Sequence, residues 1–215
     1  MRLGLSSIVW GHLTRPALAL PGNLMDDSKR DWQKIISRLD ATQQKQLKCF
    51  VLNSIRSQRP IPLWLYGPAA SGRAALVSAI SVALGRVIVI NGYDLERGGL
   101  ALEPLYDYVL RNTIASLLVI KAGRVSRRFL RLLFELGALV SGETVFVRAK
   151  DKKPLEWKCD LPICFVADVP PPEGSLLARC VQPILLGAFG PVRQTPARDF
   201  TASLGRTVRR WALSA

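Results

Sequence analysis

Short apolar runs alternate along the chain with longer segments in which apolar residues recur at helical spacing. The runs predict buried strands at residues 63–66, 87–90, 117–120 and 161–166, and a last strand at 181–186. The longer segments predict helices at 74–84, 103–113 and 126–140. Strands that alternate with helices predict an α/β fold in which a mostly parallel sheet is flanked by helices.

Helical patterns also lie on both sides of this alternating region. Between residues 27 and 58, apolar positions repeat in two groups that begin at Trp32 and at Leu47, and Asp31 is the predicted N-cap of the first group. Pro60 ends the second group. Residues 200–213 predict an amphipathic helix with arginines away from its apolar side.

The segment that follows Gly142 has a different pattern. Two short runs, 144–147 and 154–158, flank a six-residue loop that is rich in cations. This arrangement predicts a β-hairpin with a basic tip.

The composition is that of one globular domain with a strong positive charge. The chain has 215 residues, of which 49% are hydrophobic, and this is enough for one sizeable core. Lys and Arg number 30 against 16 Asp and Glu, so the net charge is +14. Such an excess favours a polyanionic partner, either nucleic acid or an anionic membrane surface, and the alternative is a basic surface without a partner.

Several kinds of site and segment are disfavoured. Cys49, Cys159, Cys164 and Cys180 lack zinc-ligand spacing and His12 is the one histidine, so we predict no metal site and an intracellular, reduced protein. No run reaches the roughly 18 apolar residues of a membrane span. The first 25 residues contain two arginines and no acid, which suits either a transit peptide or a loose arm. The prolines and glycine in this segment favour the arm.

The loop after the first predicted strand has the spacing of a phosphate-binding loop. It comprises Gly67, Pro68, Ala69, Ala70, Ser71, Gly72, Arg73 and Ala74. Its two glycines stand where G-x-x-x-x-G-K-[ST] requires them, between a strand and a helix. Arg73 replaces the lysine, and Ala74 replaces the hydroxyl residue that would bind Mg²⁺. A glycine-rich turn without a ligand is the alternative.

Taken in order, these segments resemble the superfamily 3 helicases of small DNA viruses, within the AAA+ ATPases, and most closely the papillomavirus replicative helicase. The matching pieces are Leu63 to Pro68, Ser71-Gly72, 117–120, Arg148 to Pro154, Lys158-Cys159, Leu161 to Asp168 and Ala178 to Val181. The resemblance extends from about Trp32 to Leu213 and rests on their collinear order.

The resemblance implies a catalytic site of which most residues are replaced. Where the family has two metal-binding acids, this chain has Lys121 and Ala122. Lys121 would then pair with phosphate in place of the metal, or would be a solvated lysine. Asp168 stands at the position of the asparagine that orients water, and Arg179 at that of the arginine finger that reaches a neighbouring subunit. We therefore expect ATP binding to be weak or absent, and no well-bound magnesium.

The resemblance also implies a partner. In the family, the hairpin tip projects into the channel of a ring and binds the nucleic-acid backbone. The corresponding cations here are Arg148, Lys150, Lys152 and Lys153, which suit phosphate contacts that read no sequence. We expect a nucleic-acid partner, single-stranded DNA first, and assembly into a homo- or hetero-oligomeric ring. The host nucleus would be the location.

The predicted organisation comprises an irregular arm (1–26), a helical collar of the oligomerising type (27–60), a P-loop core (61–199) and a basic C-terminal helix (200–215). The function expected is that of a helicase-like nucleic-acid-binding protein of a viral or mobile-element replication system, with hydrolysis weak or lost. The main alternative is a non-enzymatic scaffold on a degenerate ATPase fold. An active ATPase that takes its carboxylate from Glu96, Glu103 or Glu135, and a membrane-surface protein, are further alternatives.

Overall fold

The computed structural model describes residues 22–69, 71–92, 106, 109, 115–123, 137–147, 155–187 and 198–214. Five helices have defined bounds within these ranges: α1 (Gly22–Ile36), α2 (Ala41–Ile55), α3 (Arg73–Leu84), α4 (Leu176–Cys180) and α5 (Arg198–Leu213). The strands there are β1 (Leu63–Tyr66), β2 (Val87–Asn91), β3 (Leu117–Gly123), β4 (Val145–Val147), β5 (Leu155–Trp157), β6 (Ile163–Ala167) and β7 (Gln182–Leu185).

Five of these strands form one sheet in the order β2-β3-β6-β1-β7, and each neighbouring pair is parallel. The other two, β4 and β5, form a separate antiparallel ribbon. The predicted fold class is confirmed: this is an α/β fold with a mostly parallel sheet flanked by helices. The predicted strands are found with bounds within three residues of those expected, because short β-branched and aromatic runs suit a sheet that is covered on both faces.

Alternate residues of the central strands supply two cores, one on each face of the sheet. On β1, Leu63 and Leu65 contribute to one core, while Trp64 contributes to the other. The ring of Trp64 packs on that of Phe165 at a centroid separation of 5.0 Å. The two-residue period of a strand places these side chains on opposite faces, so β1 and β6 are fixed from both sides.

The helices α1, α2, α3 and α5 cover one face of the sheet. α3 packs against α5, and α5 in turn packs against α1 and α2. The indole rings of Trp32 and Trp211 meet edge to face at 5.1 Å, which joins the first described helix to the last. Gly205 allows α5 to lie close to α3, since a side chain there would overlap Val82.

The other face is covered by the ribbon, by a helical segment at residues 137–141 and by α4. Arg59 caps the 137–141 segment because its guanidinium donates to the carbonyl oxygens of Leu139 at 2.6 Å and Val140 at 3.2 Å. A cation at this end of a helix is favoured by the free carbonyls there.

Two local expectations differ from the structure. Asp31 is not an N-cap: α1 begins at Gly22, inside the predicted arm, and Asp31 lies within the helix, where it pairs with Lys34 at 3.4 Å. A run that contains Leu24 and Met25 favours this earlier start. The actual cap in this region is Asp40, which forms a capping box with Gln43 at the start of α2.

α4 is an element that the sequence pattern does not reveal. Its five residues are too few to show a helical period. The helix starts at Ser175, whose hydroxyl accepts the N–H of Ala178 at 3.1 Å.

Candidate functional site: the phosphate loop and the basic ribbon

The carboxyl ends of β1, β6 and β3 lie side by side at one edge of the sheet, which we call the loop edge. Tyr66 is in register with Ala167, and Ala167 with Gly123. The segments that leave these ends include the phosphate loop after β1 and Asp168 after β6. Ligands of open parallel sheets bind beyond the carboxyl ends of the strands, so a site is expected at this edge.

The loop after β1 has a backbone suited to an anion. Gly67 and Gly72 have positive φ angles, of 147° and 80°, and Gly72 precedes α3 without a side-chain cap. The N–H groups of the first turn of α3 therefore lack the usual capping acceptor. Ser71 is buried, and its hydroxyl has no hydrogen-bond partner within the described part of the chain. Ala69 lies in the same turn, and Ala70 is outside the described residues.

Arg73, the first residue of α3, is turned toward β6. Only 8% of its surface is exposed. Its Nη1 donates to the carbonyl oxygen of Ala167, and its Nη2 donates to Oδ1 of Asp168 at 2.7 Å. A buried guanidinium requires such partners, since charge removed from water without compensation is costly. Asp168 keeps 41% of its side chain exposed.

The end of β3 supplies no acid. Ala122 is buried and belongs to a core cluster, while Lys121 is exposed and lies between Asn91 and Val166 in the sheet. Ala74 is exposed and has only a methyl group. In the ranges that the structure describes, no three His, Cys, Asp or Glu residues are grouped as metal ligands.

These residues fit a phosphate only in part. The loop backbone and the unpaired Ser71 hydroxyl suit an anion, but the cation of the loop is paired with Asp168. Ala74 and the end of β3 offer no ligand to magnesium, which binds oxygen. Glu96, Glu103 and Glu135, the acids of the alternative active site, lie outside the described residues.

Arg179 lies near the end of α4 and is exposed. An exposed arginine on a short, capped helix is held at the surface and is available to another molecule. Its role as a finger toward a second subunit stays a prediction.

The ribbon of β4 and β5 is a second candidate site. Its inward side chains, Val145, Val147 and Trp157, are buried in the core beneath the sheet, and Trp157 meets Tyr106 edge to face at 5.3 Å. Phe146 points the other way and is 68% exposed, opposite Glu156. The predicted hairpin strands are thus present, whereas the tip cations at 148, 150, 152 and 153 lie outside the described residues.

Two cysteines are buried in the core beside these sites. Burial raises the pKa of the Cys164 thiol, on β6, to about 12, and burial is also the main cause that raises the pKa of Cys159. Both thiols therefore stay protonated near neutral pH, where they pack as small apolar groups.

Among the helices described, none is long and apolar enough to cross a membrane.

The fold has counterparts among solved structures. The apo structure of the NrS-1 C-terminal region superposes with a TM-score of 0.55 and 13% sequence identity, over 92% of this chain and 46% of that chain. Its A form gives a TM-score of 0.53 and 12% identity, over 89% of this chain and 44% of that one. The chain thus spans less than half the length of these neighbours.

The sequence matches no family model, and no curated protein matches it significantly. At such low identity, the neighbours support a distant likeness of fold. They do not point to the papillomavirus helicase in particular.

Proposed function

We propose that this protein is a superfamily 3 helicase-like nucleic-acid-binding protein of a viral or mobile-element replication system, in which hydrolysis of ATP is weak or lost. The observation that carries the binding proposal is the ribbon. Its inner face is anchored in the core, so that the cation-rich connection between its strands starts from a fixed base. Phosphate contacts made by such cations supply affinity without sequence preference.

Phe146 supports single-stranded nucleic acid as the ligand. An exposed phenylalanine forgoes about 1.5–3 kcal/mol of burial free energy, so a ligand that covers it gains affinity. Four cations follow it within the next seven positions of the sequence. Aromatic rings beside a cationic track stack on unpaired bases, whatever their sequence.

The loss of hydrolysis is supported by the loop edge. The lysine, hydroxyl and acid positions of the phosphate loop and β3 hold Arg73, Ala74, Lys121 and Ala122. The first of these is paired within the chain and the last is buried. Removal of even one electrostatic contributor in an active site typically costs about 10²–10³ in rate.

The first test is binding of fluorescent single-stranded DNA as a function of salt, with and without ATP. We expect binding that weakens steeply with salt, with a log–log slope of about −3 if the four tip cations each neutralise one phosphate. ATP is expected to change this affinity less than about twofold, well below the roughly 5- to 150-fold coupling of an allosteric site.

Absence of binding at low salt would contradict the proposal and favour a scaffold built on a degenerate ATPase fold. Equal affinity for duplex DNA or RNA would still agree with phosphate contacts made by the tip cations. It would exclude the preference for single strands. Magnesium-dependent ATP hydrolysis would contradict the loss of catalysis.

A further inference from the structure

Two replaced residues from separate motifs meet at the phosphate loop. Arg73 begins α3, and Asp168 follows β6. The strands that lead to them, β1 and β6, are direct neighbours, with Tyr66 in register with Ala167. The parallel register thus places an unusual cation and an unusual anion at the same end of adjacent strands.

Two nitrogens of the guanidinium donate to β6 and to the residue after it. One of its terminal nitrogens donates to the Ala167 carbonyl and the other to the Asp168 carboxylate, 2.7 Å away. The Arg73 side chain is only 10% exposed, so the pair is not an ordinary surface contact between two mobile side chains. Surface pairs contribute little and loss of one partner of a buried pair is costly; this pair lies between the two cases, because Asp168 is 41% exposed.

The rest of the loop still has anion-binding features. The N-terminus of the 12-residue helix α3 lacks a side-chain cap. The Ser71 hydroxyl is buried without a partner in the described structure. The backbone therefore retains what a phosphate would use, while the cation that would complete the site is paired elsewhere.

We propose that Asp168 is the resident anion of this site and that the Arg73–Asp168 pair determines its specificity. The carboxylate takes the cation that a phosphate would otherwise take, so the loop discriminates against nucleotide. The two replacements are coupled: each makes the other necessary. The pair lies at the loop edge, so its role does not depend on nucleic-acid binding by the ribbon.

The test removes the carboxylate and asks whether phosphate binding appears. In Asp168→Asn, Arg73 loses its charged partner and is free to bind another anion. The full-length variant should bind ATP and inorganic tripolyphosphate, both in EDTA, at least about 10-fold more tightly than the native chain, as one charge-assisted contact provides. Its melting temperature should fall by about 5 °C.

Asp160→Asn is the matched control. It removes the same negative charge from an exposed position between β5 and β6, where the side chain makes no ion pair with Arg73. It should change neither the melting temperature nor the affinity for either probe. An equal gain in both variants would show a general charge effect and overturn the proposal.

A double variant separates specificity from stability. Arg73→Lys with Asp168→Asn restores the residue types of the family's phosphate loop and water-orienting position. It should bind tripolyphosphate at least as well as Asp168→Asn, and should serve in its place if the single variant fails to fold. Micromolar binding of ATP by the native chain, or no gain in either variant, would overturn the proposal. Single-stranded DNA affinity, measured on the same proteins, should not change.

Discussion

The loop edge and the ribbon differ in which of their side chains the fold leaves exposed. At the loop edge, the cation of Arg73 is buried and tied to its own chain. On the ribbon, the apolar side chains face inward, while Phe146 faces solvent and the cations follow it in sequence. Correct spacing of a motif therefore does not by itself make a binding site. The charged group of the motif must also be free to bind a ligand.

The largest expected contrast between the two regions concerns nucleic acid. Reversal of charge in Lys150→Glu, Lys152→Glu and Lys153→Glu should lower the affinity for single-stranded DNA on the order of 1000-fold, as loss of three charge-assisted contacts of about 1.5 kcal/mol each would. The melting temperature should shift by less than about 2 °C, since surface changes seldom exceed about 0.5 kcal/mol. Fluorescence anisotropy and thermal unfolding would measure the two.

A matched control makes the same number of charge reversals on α5. Arg206, Arg209 and Arg210 are exposed on α5, far from the ribbon in sequence. Their reversal to Glu should reduce DNA affinity much less than the tip variant does. Equal losses in the two variants would mean that net charge, and not the ribbon, binds the nucleic acid.

The next largest effect concerns the contribution of the phosphate loop to stability. Gly67 adopts φ 147°, and a Cβ there would overlap the carbonyl oxygen of Leu186. The overlap cannot relax easily because the N–H of Leu186 donates to the Tyr66 carbonyl at 2.8 Å. Gly67→Ala should therefore lower the free energy of unfolding by about 3 kcal/mol. Chemical denaturation would measure this loss.

Gly187→Ala serves as the control for this variant, since a Cβ at that position meets no atom within 4 Å. It should stay within about 0.5 kcal/mol of the native chain. Equal stability of the two glycine variants would contradict the close contact between Gly67 and the Leu186 carbonyl oxygen that the structure shows.

A smaller effect tests the exposed aromatic ring. Phe146→Ala should weaken binding of single-stranded DNA by about 5- to 150-fold, the equivalent of one lost stacking contact of about 1–3 kcal/mol. Because no charge changes, the slope against salt should stay the same. Phe146→Trp should retain affinity and show fluorescence quenching on binding.

Ile61→Ala controls for the loss of an exposed apolar side chain, as Ile61 is 55% exposed and lies outside the ribbon. It should leave DNA affinity unchanged. A loss of affinity that is no greater for Phe146→Ala than for Ile61→Ala would remove base stacking from the proposal and leave only the cations.

The smallest effect is a pH dependence that arises on β6, the strand that leads to Asp168. The pKa of Cys164 is raised by burial to about 12, from 9.0, so the folded state keeps a proton that the unfolded chain releases above pH 9. The free energy of unfolding should thus fall as pH rises from 9 toward 12, and the loss should be about 1.4 kcal/mol at pH 10. Denaturation of Cys164→Ala should show a shallower slope, and an unchanged slope would contradict this origin.

Much of the fold could be predicted because its strands are short, continuous apolar runs. β1 lies where the run Leu63 to Tyr66 predicts it, and the alternation of 145–147 and 155–157 indicates the ribbon. α4 could not be predicted, since five residues carry no periodicity. The start of α1 precedes the apolar repeat that begins at Trp32, so the helical period could not locate it.

The sequence predicts where the candidate site lies, but it does not predict that the cation of the site is paired within the chain. The sequence places Arg73 and Asp168 in two motifs, yet their ion pair depends on which strands are neighbours and in which register. The sequence does contain a signal for this pair. Relative to the helicases that it resembles, it has an arginine at 73 in place of lysine and an acid at 168 in place of asparagine, and the two replacements are complementary in charge. The exposure of Phe146 could not be predicted, since a strand that alternates only over three residues does not tell which face is outward.

The packing of α5 on α1 and α3 has a consequence for biosynthesis. Trp32 leaves the ribosome well before its partner Trp211, because the two residues lie far apart in the sequence. Until then the outer side of α3, which begins at the phosphate loop, lacks the cover that α5 provides. Such long-range closure slows folding, and exposed apolar surface invites aggregation in the interval. A chain without α5 is therefore expected to aggregate more readily than one that contains it.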